Sequence, residues 1–506
     1  MKNIFIGVCV FLVFGIIGYI FYSKESKVIP SIETSNGIYA QLNPYGNNEL
    51  AALVEFETLK PAQITVTIKG RNGAENISYT DTQEKTKHQI EVLGLYPDYR
   101  NKVVLTATYP DKTETSVLII MTPKVKKRNL FVITQKNDTQ TRYHWLSDGI
   151  VFDEDGWMRF SFDGKGGLCY VFNHEVIVEF RNRGLYRYTP AGKLLQHYKW
   201  PEGFSSFSHG IGQKPNGNFL VIGSFADTNI LVDGEQQKTH RDWVIEIDYK
   251  TGEMLNKIDL AELLNPNRAV IVDKGIMDFG MNDWCHINGV DYDSTDASVV
   301  ISCRHAGMIK VNEKTKELVW MITPNKGFEV SGRQGQGPDI HHKVLTAVDA
   351  KGRPYNQAIQ QGQSALPNFK WPTKNHNAKV FADGIFGIFD NSGPIYDETV
   401  FTTDESYASL YKVNDKKHTV QQYWIQPLGV RSDTGSSVVY NPIQKDVTVF
   451  ISQVFDKNQD KMAYADLIRY DFDTHKELFH AVIYRGGVSW GYMAKEFHFY
   501  PKNEKE

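Results

Sequence analysis

Apolar and polar side chains alternate with a period of two along 63–68 and 102–108, and 53–56 keeps the same β-prone composition. A two-residue period puts every second side chain on one face, so each run reads as a half-buried strand. Arg71-Asn72-Gly73, Tyr96-Pro97-Asp98 and Tyr109-Pro110-Asp111 punctuate the runs with turn residues. Residues 28–125 are therefore predicted to form a β-sandwich domain; the stretch holds no catalytic cluster.

From about residue 126 the pattern repeats. A strand runs into an acidic or polar turn and returns as a second strand: Ile245-Glu246-Ile247-Asp248-Tyr249-Lys250-Thr251-Gly252 is one copy. Others begin at Ile309, Tyr411 and Ile468, with a looser one over 186–200. Between them lies a second hairpin with Gly or Asp at its bend, as in 213–221 and 290–301. Two hairpins per repeat is the content of a four-stranded propeller blade. At roughly 60 residues each, the remainder of the chain holds about six blades. The predicted fold is all-β: a sandwich, then a six-bladed propeller over 126–506. The clearest helix signal is at 259–264, and the long insert at 324–371 is read as a functional or mobile loop.

The amino end departs from this pattern. Residues 4–22 carry no charged side chain and are long enough to span a bilayer, with Lys2 before them and Lys24 and Lys27 after. No cleavage-site pattern follows, so residues 1–27 read as an uncleaved signal anchor and its flank. The expected location is the cell membrane, single-pass, with the domains outside the cytoplasm.

Length alone, 506 residues, suggests two to four domains. The 56 basic and 59 acidic side chains give a net charge of −3 without one-sign blocks, which disfavours nucleic acid as a partner. An aromatic content of 12%, with 40 Gly, agrees with many short strands and tight turns. The four cysteines form no CxxC pair; Cys285 and Cys303 flank one hairpin, and whether they pair is left open by their spacing.

Candidate chemistry falls on histidines. His286 precedes a strand in Asp283-Trp284-Cys285-His286-Ile287-Asn288, His305 ends the next in Ser302-Cys303-Arg304-His305, and His376 again precedes a strand. His209 stands ahead of an inner hairpin in the same phase, so a propeller would turn His209, His286 and His376 into a ring of imidazoles about its axis. A packed core histidine is the commoner role for any one of them. No HExxH, His-x-His or G-x-S-x-G occurs, so neither a metal site nor a serine hydrolase is predicted. His341-His342 reads as a solvated loop pair.

These motifs, with Asn43-Pro44-Tyr45-Gly46, residues 92–103, residues 343–352 and Phe389-Asp390-Asn391 in the same order, resemble the bacterial aryl-sulfate sulfotransferases that use no nucleotide donor. The resemblance covers nearly the whole chain after the anchor and implies the same sandwich-plus-propeller fold. It implies transfer of a sulfuryl group from a phenolic sulfate to a phenolic acceptor through a sulfated histidine, without cofactor or metal, and a possible homodimer. His286 and His376 carry over by motif as catalytic residues; His209, Arg304 and His305 are substrate-lining by position. Two features depart from the family. The strand matched to its sulfated histidine, 446–454, holds no His, and the arginine expected after Phe389-Asp390-Asn391 is replaced by Ser392-Gly393-Pro394. Either another residue serves (His480, His498 or Arg431), or the chain is a non-catalytic propeller that binds sulfated aromatics.

Overall fold

The predicted repeat rests on one turn used four times. Asp248 Oδ1 accepts from the backbone N–H of Lys250 and Thr251 at 2.8 and 2.7 Å. Asn312 accepts likewise from Lys314 and Thr315, Asn414 from Lys417, and Asp471 from Thr474. Four residues after each acceptor the chain takes a positive φ, at Gly252, Lys316, His418 and His475. The side-chain acceptor stabilises the bend that turns the third strand of a blade into its fourth.

The computed structural model describes residues 34–126, 129–137, 141–328, 330–456, 461–485 and 491–501. Six antiparallel sheets follow one another as blades. Blade 2 runs Leu168–Phe172, Glu175–Phe180, Gly184–Tyr188, Leu194–Tyr198. Blade 3 is Phe204–Gln213, Phe219–Phe225, Trp243–Ile247 and Met254–Asp259, with a side hairpin, Asn229–Val232 and Glu235–Lys238. Blade 4 is Ile287–Asp293, Ser298–Cys303, Gly307–Asn312 and Leu318–Ile322. Blade 5, from His376–Phe381 through Ile385–Asp390 and Tyr407–Asn414 to Thr419–Pro427, gains a fifth, parallel strand, Thr346–Val348. Part of the long insert is thus bound into a sheet, and Gln360 pins it by bonding both the N–H and the C=O of Ala347. His341 stays exposed beside Asp339.

The ends of the chain close the ring. Blade 1 takes its innermost strand, Ala494–Glu496, from the carboxyl end and Tyr143–Leu146, Ile150–Asp153 and Met158–Ser161 from the amino side. Blade 6, opening with Ser437–Asn441 and Asp446–Asp456 and ending with Glu477–Arg485, takes its outermost strand from Asn129–Lys136. Toward the axis the inner strands come so close that Gly212 and Gly289 admit no Cβ: one would lie 2.9 Å from the Val290 carbonyl oxygen, the other 2.8 Å from the Asn377 Cα.

Ahead of the propeller, the expected sandwich takes the form of one hydrogen-bonded sheet of five strands rather than two separate sheets. The reason is the length of Ala51–Ile68 and Ile77–Leu93, which pair along their whole course; the Thr34–Leu42 strand joins the first half and Arg100–Thr108 the second. Between the halves, exposed Leu59, Lys60 and Pro61 sit at a register shift, where a proline costs no ladder bond. Its buried residues share one core cluster with blade 1. Arg159 fastens the two, donating twice to the Gly94 carbonyl at 2.9 and 2.7 Å.

Among the described residues helix is confined to short segments, including Leu260–Leu263 within the predicted 259–264, where Asp259 accepts from the Ala261 N–H. Among the described residues no helix is long and apolar enough to cross a membrane, and the predicted anchor at 4–22 lies outside the described residues.

Blades 6 and 1 are joined by buried ions. Arg469 reaches Glu154 at 3.0 Å and Asp446 at 3.7 Å, Arg142 reaches Asp446 at 2.8 Å, and His144 meets Glu154 at 3.2 Å. Removing one partner leaves a buried charge uncompensated. Glu154→Ala is therefore expected to destabilise the protein by about 3–5 kcal/mol in equilibrium denaturation; a loss below about 1 kcal/mol would mean the network does not hold the ring.

Candidate active site at the propeller axis

On the face where inner strands begin and second strands end, blades 3 to 6 and blade 1 bring polar side chains to the axis. Local irregularities aim them. The ladder shifts register around His209, at Asn288 and after His376, and a bulge of this kind re-aims the side chains it carries. Arg241, His286, Lys374, Asn377, Ser392 and Ser436 all hold positive φ without being glycine.

The sequence-predicted residues meet here. The His286 ring lies 5.3 Å from that of His209 and 5.5 Å from that of His305. Tyr492, just ahead of the closing strand, stacks on His209 at 5.5 Å and meets His376 edge-on at 5.8 Å. The Cys285–Cys303 disulfide is formed, with its Cα atoms 5.3 Å apart. It ties the residue before His286 to the residue before Arg304.

The hydrogen bonds assign roles to the rings. His286 Nδ1 is 2.5 Å from Asp283 Oδ2. A carboxylate only accepts, so this nitrogen carries the proton. Arg241 Nη1, 2.8 Å from the same nitrogen, is then left to donate to Nε2 at 3.2 Å and to Asp283 Oδ2 at 3.4 Å. Both nitrogens of His286 are engaged. His305 donates through Nδ1 to the Asp283 carbonyl at 3.0 Å. His376 Nδ1 is 2.5 Å from Asn391 Oδ1, and the Asn391 amide donates at 2.7 Å to the Ser432 carbonyl. That second bond fixes which end of the amide faces the ring. His376 therefore holds its proton on Nδ1, which leaves Nε2 as the unprotonated nitrogen of the neutral ring.

Burial keeps these rings neutral. It is the largest influence on His286, His305 and His376, and all three fall below the ordinary histidine range. For His305 the value drops to about 3, with Arg304 adding to the effect. For His376 the nearby Arg304 and His209 push the same way. In His286 burial outweighs the attraction of Asp283. Asp283 shows the opposite balance: burial would raise it, yet hydrogen bonds from His240 and His286, with Arg241 beside it, hold it far below the carboxylate range. Burial lowers Arg304 and Lys374, and the two cations disfavour each other's charge where Lys374 stands.

With this geometry the comparisons can be read. The family model described as Arylsulfotransferase (ASST) matches residues 103–492, and one described as Arylsulfotransferase Ig-like domain matches residues 39–127. The chain belongs to the arylsulfotransferase family. Its relatives include the arylsulfate sulfotransferase AssT of Escherichia coli, 25% identical over 483 residues with 76% of this chain and 79% of that protein covered. AssT of Lelliottia amnigena is 24% identical over 486 residues, covering 76% and 79%.

The departures noted for this arylsulfotransferase look different in space. The strand Asp446–Asp456 is the second of blade 6; it buries Val447, Val449 and Ile451 and reaches the site with Ser452, whose N–H donates to Ser436 Oγ. The imidazole that stands at the axis beside it, against Tyr492, is His376 of blade 5. His480 lies on the fourth strand of its blade, paired with Asp466 at 3.2 Å, and His498 stands beyond the far end of the closing strand near Glu496. Neither belongs to the site. Arg431 does approach: its guanidinium carbon is 3.3 Å from where a Cβ on Gly393 would stand, filling the space beside the turn that lacks an arginine. Asp433 pairs with Arg431 at 2.7 Å and accepts from Arg304 through its carbonyl.

Sequence reasoning gave no role to Arg241 or Tyr492. Neither has a spacing signal, since one precedes a third strand and the other belongs to the closing segment. One grouping with metal-ligand proximity also escaped it: His240, Asp278 and Asp283 offer ligand atoms within 4.8 Å of one another. Arg241 is ion-paired with both carboxylates, so a guanidinium already occupies the position a cation would take.

Because three buried imidazoles resist protonation in the folded state, the unfolded chain binds more protons as pH falls below about 6.5. Stability is expected to be full above that value and to fall with acid, with a slope approaching about 4 kcal/mol per pH unit if all three contribute. Urea midpoints measured at about pH 7.5, 6.5 and 5.5 should decline in that order. A flat profile would show that the rings are not held neutral by the fold.

Proposed function

We propose that this chain transfers a sulfuryl group from a phenolic sulfate ester to a phenolic acceptor, with His376 as the nucleophile. The observation that carries this reading is the ring of His376, whose Nδ1 proton is anchored on Asn391 so that Nε2 is left unprotonated at the axis. In the first half-reaction the Nε2 lone pair attacks sulfur, the sulfur–oxygen bond to the aryl group breaks, and the phenolate leaves. His209, half-buried and against both His286 and Tyr492, in its protonated form gives a proton to the leaving oxygen. In the second, an acceptor phenol passes its proton back to His209, its oxygen attacks the sulfur of sulfo-His376, and the N–S bond breaks.

The remaining residues act on charge and position. Arg304 and Lys374 are cations close enough to His376 or to each other to offset the negative sulfuryl oxygens. Asp283 and Arg241 hold His286 in one orientation, and Tyr492, whose hydroxyl donates to the Asn288 carbonyl, forms a wall. The proposal includes an extracytoplasmic location, with residues 4–22 as the anchor. A formed disulfide beside the site suits an oxidising compartment.

The test is release of phenolate from a chromogenic aryl sulfate by the protein with and without a phenol acceptor, chelator present throughout. Acceptor-dependent release is expected, and His376→Ala should lower it by about a thousandfold or more. A [35S]-labelled sulfo-enzyme should accumulate in wild type when acceptor is withheld. Binding of the aryl sulfate without release would assign the protein to the non-catalytic class instead.

A further inference from the structure

A short hairpin, Met277–Asp278 with Met281–Asn282, lies on the same face as the axial site. It belongs to the segment between blades 3 and 4, yet its tip reaches blade 2, where the Arg181 guanidinium stands 5.3 Å from the centre of the Phe279 ring. Asn282 braces it, pairing with Thr239 and donating to Gln237 and to the Lys274 carbonyl at 2.8 Å each. The hairpin is thus a strap across the blade 3 side of the mouth.

Two features of the strap disfavour the free protein. Phe279 takes a φ of 49°, a conformation that bulky residues rarely adopt, and it remains 70% exposed. Met277 is 53% exposed beside it. A polar or glycine residue at this tip would relieve both. An observed outlier of this sort, next to a site, motivates a functional explanation.

The strap also touches the chemistry. Asp278, adjacent to Phe279, is hydrogen-bonded to Arg241, and Arg241 contacts His286. A flat apolar ring backed by an arginine therefore lies one residue from the ion pair that positions an active-site imidazole. An aryl sulfate carries the two matching parts, a ring and an anion.

We propose that Phe279, backed by Arg181, is the stacking subsite for the aromatic ring of the sulfate ester or phenol, and so sets selectivity for aryl over alkyl sulfates. This rests on the sulfotransfer reading above. Arg181 polarises one face of Phe279, and the other face receives the substrate ring as its sulfuryl group enters among the axial cations.

The test uses the full chain carrying His376→Ala, so that ligands are not turned over, with 4-nitrophenyl sulfate and methyl sulfate as probes in titration calorimetry. Adding Phe279→Ala should weaken 4-nitrophenyl sulfate about fivefold to tenfold, leave methyl sulfate unchanged, and be rescued by Phe279→Tyr. In the otherwise wild-type enzyme, Phe279→Ala should raise KM for the aryl sulfate with kcat retained. Equal affinity of both probes for the Phe279→Ala and parent proteins overturns the subsite while leaving sulfotransfer standing. Equal weakening of both probes also overturns it, by assigning Phe279 to the anion site or to the frame. If wild type neither binds nor turns over an aryl sulfate, the underlying reading fails and the subsite with it.

Discussion

Closure of the ring is the constraint on which the rest depends. Blade 1 is assembled from both ends of the chain, and its innermost strand, Ala494–Glu496, is the segment that completes the circle. Tyr492 stands two residues before that strand and makes the wall shared by His209 and His376. The Ser147 hydroxyl of blade 1 accepts from the Tyr492 and Met493 N–H groups, and Ser436 of blade 6 donates its own N–H to the Tyr492 carbonyl. The contacts that join the last blade to the first therefore also place a site residue.

The second constraint is dielectric. Imidazole is an effective nucleophile only when neutral, and a site that must hold a sulfuryl group is necessarily rich in cations. Both demands are met by the same cause. Burial lowers the affinity of His376 for a proton, and Arg304 beside it lowers that affinity again. Arg304 thus helps keep the His376 ring unprotonated. Asp283 does not defeat this, because its charge is already taken up by His240, His286 and Arg241.

Much of the architecture was legible because it is local. The turn in Asp248–Gly252 and its three relatives depends on an Asx acceptor and a positive φ four residues on, both encoded within a few residues. The approach of His286 to His305 was also readable, since hairpin partners deliver strand ends together. The strand 446–454, matched by order to the family's sulfated histidine, commits Val447, Val449 and Ile451 to the core, and the imidazole brought to the axis from the neighbouring blade is His376, which its motif had already marked. Arg241 and Tyr492 were not legible, whereas Arg431, a candidate from the sequence, does stand over Gly393. Arg241 and Tyr492 each arrive from a segment whose neighbours at the axis are tens to hundreds of residues away, and no spacing rule spans that distance.

Strain argues that the geometry of the face is held for use. A non-glycine residue in the left-handed region costs roughly 1–2 kcal/mol, and six of them, Arg241, His286, Lys374, Asn377, Ser392 and Ser436, ring the site. Much of that is offset where it arises. Asn377 donates to the Ser436 carbonyl, the Ser436 hydroxyl receives the Ser452 N–H, and the Ser392 N–H bonds Asp390. His286 is held at its own carbonyl by the Arg304 N–H and on its flank by the disulfide. These bonds over-determine a backbone that relaxed strands would not adopt. The blades below bury continuous apolar clusters and carry the remaining cost, which leaves the polar face free to keep the arrangement that transfer chemistry requires.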